Sequence, residues 1–163
     1  MKAISAPWRI KYVKSKKPAG CIFCKDSIRK DDMLLWEGRH AFVMMNRYPY
    51  TGGHMMVIPV RHVRGIEDLT RKERVAMFDL LDICIRVLKE AMNPEGFNIG
   101  MNLGTAAGAG VDDHLHIHII PRWSGDTNFM SVVGEVRIIN EDLVKTWKKL
   151  VPLFEKYLKE GIR

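Results

Sequence analysis

Cysteine is scarce in this sequence and no long apolar run is present, and both absences limit the class of protein. Three cysteines in 163 residues cannot form the fully paired framework of a disulfide-rich secreted domain. No apolar stretch approaches the roughly 20 residues that are needed to span a bilayer. Basic residues interrupt the N-terminal region, where a signal peptide would need a continuous apolar segment. We therefore expect a cytoplasmic protein without a transmembrane segment.

Acidic residues are outnumbered by basic ones, 19 to 26, which gives a net charge of +7 and a pI near 9.4. A basic surface attracts anions, and nucleic acids and nucleoside polyphosphates are both candidates, although the charge could also serve only solubility. A nucleic-acid partner, for example in DNA-end processing, would require a further binding segment that the sequence does not show. A nucleic-acid partner is therefore not expected, and the charge alone does not choose between a nucleotide ligand and a surface that serves solubility.

The length and the hydrophobic fraction of 47% are typical of one globular domain. The sequence contains no internal repeat, low-complexity tract or linker that would divide it. We therefore predict a single domain over residues 1–163. Residues 1–20 are predicted to form an N-terminal arm, and residues 131–163 a C-terminal extension that contains a helix.

Five short apolar runs have the length and the bounding turn residues of β-strands. They are Met33–Trp36, Ala41–Met45, His54–Val60, Phe97–Leu103 and His114–Pro121. Strands in succession, followed by a helix, further strands and a second helix, predict an α+β fold. Its sheet is expected to be mainly antiparallel, with two main helices.

The first helix is predicted to begin at a capping box formed by Thr70 and Glu73 and to end at Asn93. Cys84 lies within it and is expected to be a small core residue. A final helix is predicted to begin near Asn140 as its N-cap. In the first helix, apolar residues at steps of three and four indicate one buried stripe: Val75, Phe78, Leu81, Ile85, Leu88 and Met92.

Three of the six histidines occupy alternate positions in one predicted strand: His114, His116 and His118. Alternate side chains of a strand project from the same face, so the three imidazoles share one face. They could be incidental polar residues. They could also form a metal site, but residues two apart on a strand lie about 6.6–7 Å apart and cannot all reach one tetrahedral ion. The pattern favours a division of roles: one histidine ligates a metal, one attacks a phosphate and one stabilises charge.

The loop before this strand, Gly104–Gly110 (GTAAGAG), contains only small side chains. Small residues let backbone N–H groups approach an anion closely. A flexible turn is the alternative, but the position of the loop directly before the histidines favours a phosphate cradle. Gly108 and Gly110 are its candidate substrate-binding residues.

The histidine pattern resembles the signature of the histidine-triad family, in which three histidines alternate with apolar residues. The segment His114–Ile120 (HLHIHII) matches that signature at every position. Upstream, Asn46–Pro59 (NRYPYTGGHMMVIP) is similar to a family strand that contains a further histidine. The segment Pro121–Met130 (PRWSGDTNFM) is similar to the branch of fragile-histidine-triad hydrolases and bacterial diadenosine tetraphosphate phosphorylases.

The resemblance implies a histidine-triad fold in a homodimer whose two sheets join. It implies that His116 is the nucleophile and forms a covalent nucleotidyl-histidine. His118 would contact the phosphate and the leaving group, while His54 would set the charge and hydrogen bonding beside it. Asn46 would lie near the ribose and Asn102 near the α-phosphate.

Cys21 and Cys24 form a C-x-x-C pair. Two thiolates with two distant histidines make a tetrahedral zinc set, although a redox pair or two core residues would also account for the cysteines alone. In zinc-bearing family members and related galactose-1-phosphate uridylyltransferases, the other ligands are two histidines. One follows a P-x-R-H strand end and the other lies two residues before the nucleophile. The resemblance therefore implies His62 and His114 as ligands of a structural zinc ion, with His40 as a rival for the fourth position.

The resemblance also implies an enzyme that cleaves the α-phosphate linkage of dinucleoside polyphosphates such as diadenosine tetraphosphate. Water as the second acceptor would make it a hydrolase, and phosphate would make it a phosphorylase. The alternatives are a nucleoside phosphoramidase and a nucleotide-binding regulatory module with little turnover. No organic cofactor is expected.

Overall fold

The computed structural model describes residues 20–28, 33–126 and 142–160. The predicted arm before Gly20, and most of the C-terminal extension that precedes its helix, lie outside the described residues. The strands are β1 (Leu34–Glu37), β2 (Ala41–Met45), β3 (Met55–Pro59), β4 (Gly96–Gly100) and β5 (Ile117–Arg122). The helices are α1 (Lys25–Ile28), α2 (Arg71–Met92) and α3 (Leu143–Glu160), with a 3₁₀ turn at Thr105–Ala107.

The five strands form one sheet in the order β1-β2-β3-β5-β4, and every neighbouring pair is antiparallel. Strands β2 and β3 are buried over their whole length, since α2 packs against both of them and against β5. The predicted α+β fold with an antiparallel sheet and two main helices is therefore confirmed. The predicted strand bounds were correct at Ala41–Met45 and differ by one to three residues at the others.

The largest difference in strand bounds concerns the histidine segment. We predicted a strand from His114, but β5 begins at Ile117. The N–H of Leu115 donates to the carbonyl of Val63 at 2.7 Å, so this segment runs against the loop after β3 before it joins the ladder. Within β5, Ile117 and Ile119 are buried while His118 is half-buried, which confirms the predicted alternation there.

The start and the end of α2 are as predicted. The side chain of Thr70 accepts from the N–H of Glu73, and the carboxylate of Glu73 accepts from the N–H of Thr70, which completes a capping box. The helix ends at Met92, and Asn93 takes a left-handed conformation with φ 48°. Cys84 is fully buried, which confirms it as a core residue.

The predicted buried face of α2 is confirmed at Leu81 and Leu88 and is wrong at Val75 and Phe78. Val75 and Phe78 are 52% and 62% exposed. Apolar residues of α2 lie on two faces at helical spacing, and periodicity alone does not tell which face meets the sheet. The residues that are buried on the sheet side are Met77, Leu80, Leu81, Ile83, Cys84, Val87 and Leu88.

Helix α3 begins at Leu143, later than predicted. Asn140 lies outside the described residues, and the carboxylate of Asp142 accepts from the N–H groups of Val144 and Lys145. The indole N–H of Trp147 donates to the carbonyl of Leu34 at 2.7 Å, which fastens α3 to strand β1. Among the described residues, no helix combines the length and the apolar character that crossing a bilayer requires.

Candidate active site and metal centre

Four histidines meet where β3 and β5 run side by side. Met56 of β3 pairs with His118 of β5, and Gly100 of β4 pairs with His118 from the other side. His54 directly precedes β3 and is fully buried, as is His114, and His116 is 5% exposed. The imidazole rings of His116 and His118 lie 4.7 Å apart between centroids, at 84°. The sheet pairing therefore brings the predicted catalytic histidines, His54, His116 and His118, into one group.

A backbone carbonyl fixes the tautomer of His116. Its Nδ1 lies 2.9 Å from the carbonyl oxygen of His114, and a carbonyl can only accept. The hydrogen-bond network therefore assigns the proton to Nδ1 and leaves a lone pair on Nε2. A nucleophilic imidazole requires this tautomer, because its attacking nitrogen must carry a lone pair.

A chain of hydrogen bonds assigns the opposite tautomer to His118. The N–H of Tyr50 donates to Nδ1 of His54 at 3.1 Å, so the proton of a neutral His54 resides on Nε2. That Nε2–H donates to Nδ1 of His118 at 3.0 Å. His118 consequently carries its own proton on Nε2 and has a hydrogen-bond donor there. Of these neighbouring imidazoles, His116 thus offers a lone pair on Nε2 and His118 offers a hydrogen-bond donor on Nε2.

Burial keeps these imidazoles neutral. It lowers the pKa of His114 and of His116, and it lowers the pKa of His118 to about 4, with a further contribution from the neighbouring His116. Transfer from water into a low-dielectric interior disfavours the charged form of histidine. At neutral pH the lone pair on His116 is therefore available without prior deprotonation.

A second group of side chains lies beside the histidine segment: Cys21, Cys24, His62 and His114. One ligand atom of each residue lies within 4.8 Å of those of the others. Sγ of Cys21 is 3.2 Å from Nδ1 of His114, and Sγ of Cys24 is 3.3 Å from Nδ1 of His62. Burial raises the pKa of the Cys21 thiol to about 11, an effect that a bound cation reverses.

The donor set and the tautomers of this cluster fit a zinc site. Two sulfurs and two imidazole nitrogens form a common tetrahedral zinc sphere. Nε2 of His114 lies 2.9 Å from the carbonyl oxygen of Pro59 and donates to it, which leaves the lone pair on the Nδ1 that faces Cys21. A ligating histidine typically donates its other N–H in this way. His40, the predicted rival, does not belong to this cluster.

The residue before His62 is anchored to helix α2. The guanidinium of Arg61 donates from Nε and Nη2 to the carboxylate of Glu73, each at 2.9 Å. These bonds raise the pKa of Arg61 and lower the pKa of Glu73 to about 2. The capping box of α2 is therefore also an anchor for the loop that carries His62.

Of the predicted substrate-binding residues, Asn46 is hydrogen-bonded to the histidine group. The N–H of Asn46 donates to the carbonyl of His54 at 2.9 Å, and its side-chain oxygen accepts from the N–H of Tyr48. Asn102 follows β4 two residues after Gly100. Gly108 closes the 3₁₀ turn in a left-handed conformation with φ 83°, and Gly110 is exposed in the same loop. Their contacts with a nucleotide stay a prediction.

Sequence reasoning missed two aromatic residues of the site. Phe23 lies between the two cysteines, and its ring is 5.9 Å from that of His114 and 5.3 Å from that of His116. The ring of Tyr50 stacks on His54 at 5.1 Å and 20°. The position of Phe23 inside the C-x-x-C pair was a signal in the sequence that it lies near the metal cluster. Tyr50 contributes its backbone N–H, and the sequence gives no signal for such a contribution.

The chain is similar in sequence to proteins of known name. The AP-4-A phosphorylase of Mycobacterium tuberculosis is 40% identical over 121 residues, which are 74% of this chain and 62% of that protein. The match thus spans less than two thirds of the relative's length. The bis(5'-adenosyl)-triphosphatase of Dictyostelium discoideum is 32% identical over 122 residues, 71% of this chain and 81% of that protein.

A solved structure is similar to this chain in fold. The Zn-bound histidine triad family protein from Mycobacterium smegmatis superposes with a TM-score of 0.69 at 25% identity, covering 86% of this chain and 96% of that one. Residues 28–125, more than half of the chain, match the HIT domain family. The chain therefore belongs to the histidine-triad family.

Proposed function

We propose that this protein cleaves the α-phosphate linkage of dinucleoside polyphosphates, such as diadenosine tetraphosphate, through a covalent nucleotidyl-histidine at His116. The observation that carries the proposal is the pair of opposite tautomers in adjacent imidazoles. His116 has a lone pair on Nε2 because its Nδ1–H donates to the carbonyl of His114. His118 has a proton on Nε2 because its Nδ1 accepts from His54.

In the first step, Nε2 of His116 attacks the α-phosphorus and a P–N bond forms. The bond from phosphorus to the bridging oxygen breaks, and the remaining nucleoside polyphosphate leaves. The Nε2–H of His118 donates a hydrogen bond to the phosphate and stabilises the negative charge that develops on the leaving oxygen. His54 acts through His118, since its own Nε2–H fixes the tautomer of that residue.

In the second step, an acceptor attacks phosphorus and releases His116. Water yields AMP, and inorganic phosphate yields ADP, with ATP as the other product from diadenosine tetraphosphate in both cases. The names of two relatives, a phosphorylase and a triphosphatase, support both acceptors. The match to the phosphorylase is the one with the higher identity, and we propose phosphate as the acceptor.

The test is incubation of the purified protein with diadenosine tetraphosphate, with and without inorganic phosphate, and chromatography of the products. We expect ADP and ATP with phosphate present. AMP and ATP in both conditions would identify a hydrolase. Cleavage of adenosine 5'-phosphoramidate with no turnover of the tetraphosphate would favour the phosphoramidase, and AMP binding with no turnover of either would favour the regulatory module.

The nucleophile is tested by His116→Ala, which should abolish turnover while AMP binding is retained. His40→Ala is a matched control, because His40 belongs neither to the metal cluster nor to the catalytic group. It should keep the wild-type rate. A wild-type rate in His116→Ala would refute the assignment of the nucleophile.

Zinc is proposed as a structural ion held by Cys21, Cys24, His62 and His114. The four ligands complete a tetrahedral sphere, which leaves no position for a reacting water. When bound, the ion would keep both thiols ionised and hold the histidine segment against the loop after β3. The three cysteines are unpaired, which is the state that a cytoplasmic protein maintains, and we propose that compartment.

A homodimer is proposed from the surface that α2 and β4 leave uncovered. Phe78 and Val75 of α2 are large apolar side chains that are more than half exposed. Among the residues that the structure describes, β4 is at the edge of the sheet, and its Ile99 is also exposed. An edge strand presents unpaired backbone groups that a second copy can pair with, and exposed apolar side chains mark interaction surfaces.

A further inference from the structure

Phe23 is the buried aromatic residue that connects the metal cluster to the nucleophile. It is 4% exposed although it lies in a short turn near the described N-terminal end. Its ring is 5.9 Å from the ring of His114 at 86°, and 5.3 Å from the ring of His116 at 60°. Aromatic rings at such distances and tilts have a preferred mutual orientation. The ring therefore contacts both a ligand of the cluster and the proposed nucleophile.

The backbone of the C-x-x-C turn fixes the position of Phe23. Its N–H donates to Sγ of Cys21 at 3.4 Å. The N–H of Cys24 donates to the carbonyl of Cys21 at 3.2 Å, and the N–H of Ile28 donates to the carbonyl of Cys24 at 3.1 Å. Residues on both sides of Phe23 thus belong to a hydrogen-bonded turn and to the metal cluster. The ring is held from its own backbone as well as by burial.

The orientation of His116 needs such support. One hydrogen bond, from Nδ1 to the carbonyl of His114, fixes its tautomer. A rotation of the imidazole by 180° about its last torsion would exchange Nδ1 with a carbon atom and move the Nε2 lone pair. Imidazole occupies a broad, roughly two-fold well about this torsion, so intrinsic preference does not prevent the rotation. The hydrogen bond to the carbonyl of His114 selects between the two orientations, and the Phe23 ring, 5.3 Å from the imidazole, limits how far the imidazole can tilt out of that bond.

We propose that Phe23 is a positioning residue that holds the imidazole of His116 in the orientation from which Nε2 attacks phosphorus. The inference rests on the proposed function, because it assumes that His116 is the nucleophile. It adds a role for the cysteine turn beyond metal binding. The turn places an aromatic ring against the catalytic side chain, so the metal cluster and the active site share one residue.

The test is Phe23→Leu in the zinc-loaded protein, with four measurements. These are zinc content, the Kd for AMP, kcat on diadenosine tetraphosphate, and the tautomer of His116 from long-range ¹H–¹⁵N NMR correlations. We expect unchanged zinc content and AMP affinity, a fall in kcat of about 10- to 100-fold from misplacement of the attacking atom, and a mixture of tautomers in place of the single Nδ1–H form. A fall in kcat without a change in binding indicates an interaction used in the transition state.

Two further variants make the result specific. Phe154→Leu removes the same atoms from a fully buried phenylalanine of α3, and should lower stability without changing kcat or the His116 tautomer. Phe23→Tyr keeps the ring and should retain both properties of the wild type. If Phe23→Leu is recovered without zinc, Phe23→Tyr decides: wild-type kcat and tautomer support the proposal, and loss of either contradicts it.

Several outcomes would overturn the proposal. One is a wild-type kcat and a single His116 tautomer in Phe23→Leu. Another is an equal fall in kcat in Phe154→Leu. A third is a loss of AMP affinity at unchanged kcat, which would place Phe23 in nucleotide binding instead. If the wild type shows no turnover, the proposed function fails, but the tautomer measurement still decides whether Phe23 orients His116.

Discussion

Backbone groups set the protonation of three histidines in the site. The carbonyl of His114 accepts a hydrogen bond from Nδ1–H of His116, and the carbonyl of Pro59 accepts one from Nε2–H of His114. The N–H of Tyr50 donates to Nδ1 of His54, which leaves the proton of a neutral His54 on Nε2. Backbone groups do not titrate in the physiological range, so these tautomers do not change with the charge of a neighbouring side chain. These hydrogen bonds therefore select one tautomer for each of the three imidazoles in its neutral form.

A single carboxylate links the start of α2 to the loop that carries His62. Glu73 has a side chain that is 7% exposed, and it accepts from Arg61 and from Thr70. Its pKa falls from an ordinary value of 4.5 to about 2, chiefly because of the hydrogen bond from Arg61. We expect Glu73→Gln to lower the free energy of unfolding at pH 7 by roughly 1–2 kcal/mol, a value reduced from the full shift because Arg61 is half exposed.

The sign of the pH dependence follows from the same shift. The folded-state pKa lies below the unfolded value, so the carboxylate stabilises fully above pH 4.5 and loses its contribution as the pH falls towards 2. Urea unfolding of the wild type and of Glu73→Gln should show that the difference between their free energies of unfolding becomes smaller as the pH is lowered from 7 to 3. Asp82→Asn, in an exposed pair with Arg86, should be nearly neutral. If the free energies of unfolding of the wild type and Glu73→Gln differ by the same amount at every pH in this range, the stabilising role of the ionised carboxylate is contradicted.

At the scale of single residues, polar site residues that recur at a regular spacing could be predicted from the sequence. The alternation predicted that His114, His116 and His118 share one face, the cysteine spacing predicted a pair of metal ligands, and the family resemblance added His54 and His62. Phe23 and Tyr50 could not be predicted in the same way. Their roles depend on the distance of a ring and the direction of an N–H group, which arise only when β3, β5 and the cysteine turn come together.

Among the elements, the metal cluster joins three pieces of the chain. The cysteine turn before α1, the loop after β3 and the segment before β5 each supply ligands. The turn is short and α1 has one helical turn, so little secondary structure holds it in place. A shared ion would make the three pieces one unit, and its removal should affect the stability of the fold.

We therefore expect about one zinc ion per chain and a lower unfolding temperature after chelation. Zinc at 100-fold its Kd would stabilise the folded state by about 2.7 kcal/mol, which corresponds to roughly 5–11 °C for a chain of this size. Metal analysis and thermal unfolding with and without a chelator measure both. Cys24→Ser should lose the metal, and Cys84→Ala, at a buried position outside the cluster, should keep it. A metal-free wild type that a chelator leaves unchanged would refute the site.

Element boundaries and faces were predicted with unequal success. The capping box at Thr70 and Glu73 is a local signal and placed the start of α2 correctly. Which face of α2 is buried depends on how the helix lies on the sheet. Val75 and Phe78 have the spacing of core residues, but they lie on a face that does not meet the sheet and are exposed. For α3, Asn140 is as good a cap as Asp142 in isolation, and packing of Trp147 on β1 selects where the helix runs.

For the molecule as a whole, the proposed homodimer can be tested by changing an exposed apolar residue of α2 and measuring the oligomeric state. We expect a dimer in solution and a shift to monomer in Phe78→Glu, because a buried charge at an apolar contact is strongly unfavourable. A contact worth 2 kcal/mol corresponds to roughly 30-fold weaker association. Light scattering coupled to size-exclusion chromatography over a range of concentrations measures the change.

The control for this experiment is Ile66→Glu. Ile66 is also an exposed apolar residue, but it lies in the loop between β3 and α2 and not on the helix. It should leave the mass unchanged. A wild type that is monomeric at micromolar concentration would rule out the dimer and leave Phe78 as an isolated surface residue.

The burial of Cys84 has a practical consequence for chemical labelling. Cys84 is fully buried in α2 and burial raises its pKa, whereas Cys21 and Cys24 are half-buried near the surface. A thiol-specific reagent therefore meets two kinds of sulfur in one molecule. Modification of the pair would record the opening of the cysteine turn, and modification of Cys84 would record the separation of α2 from the sheet. Mass spectrometry of the labelled protein could time these two events separately without any engineered probe.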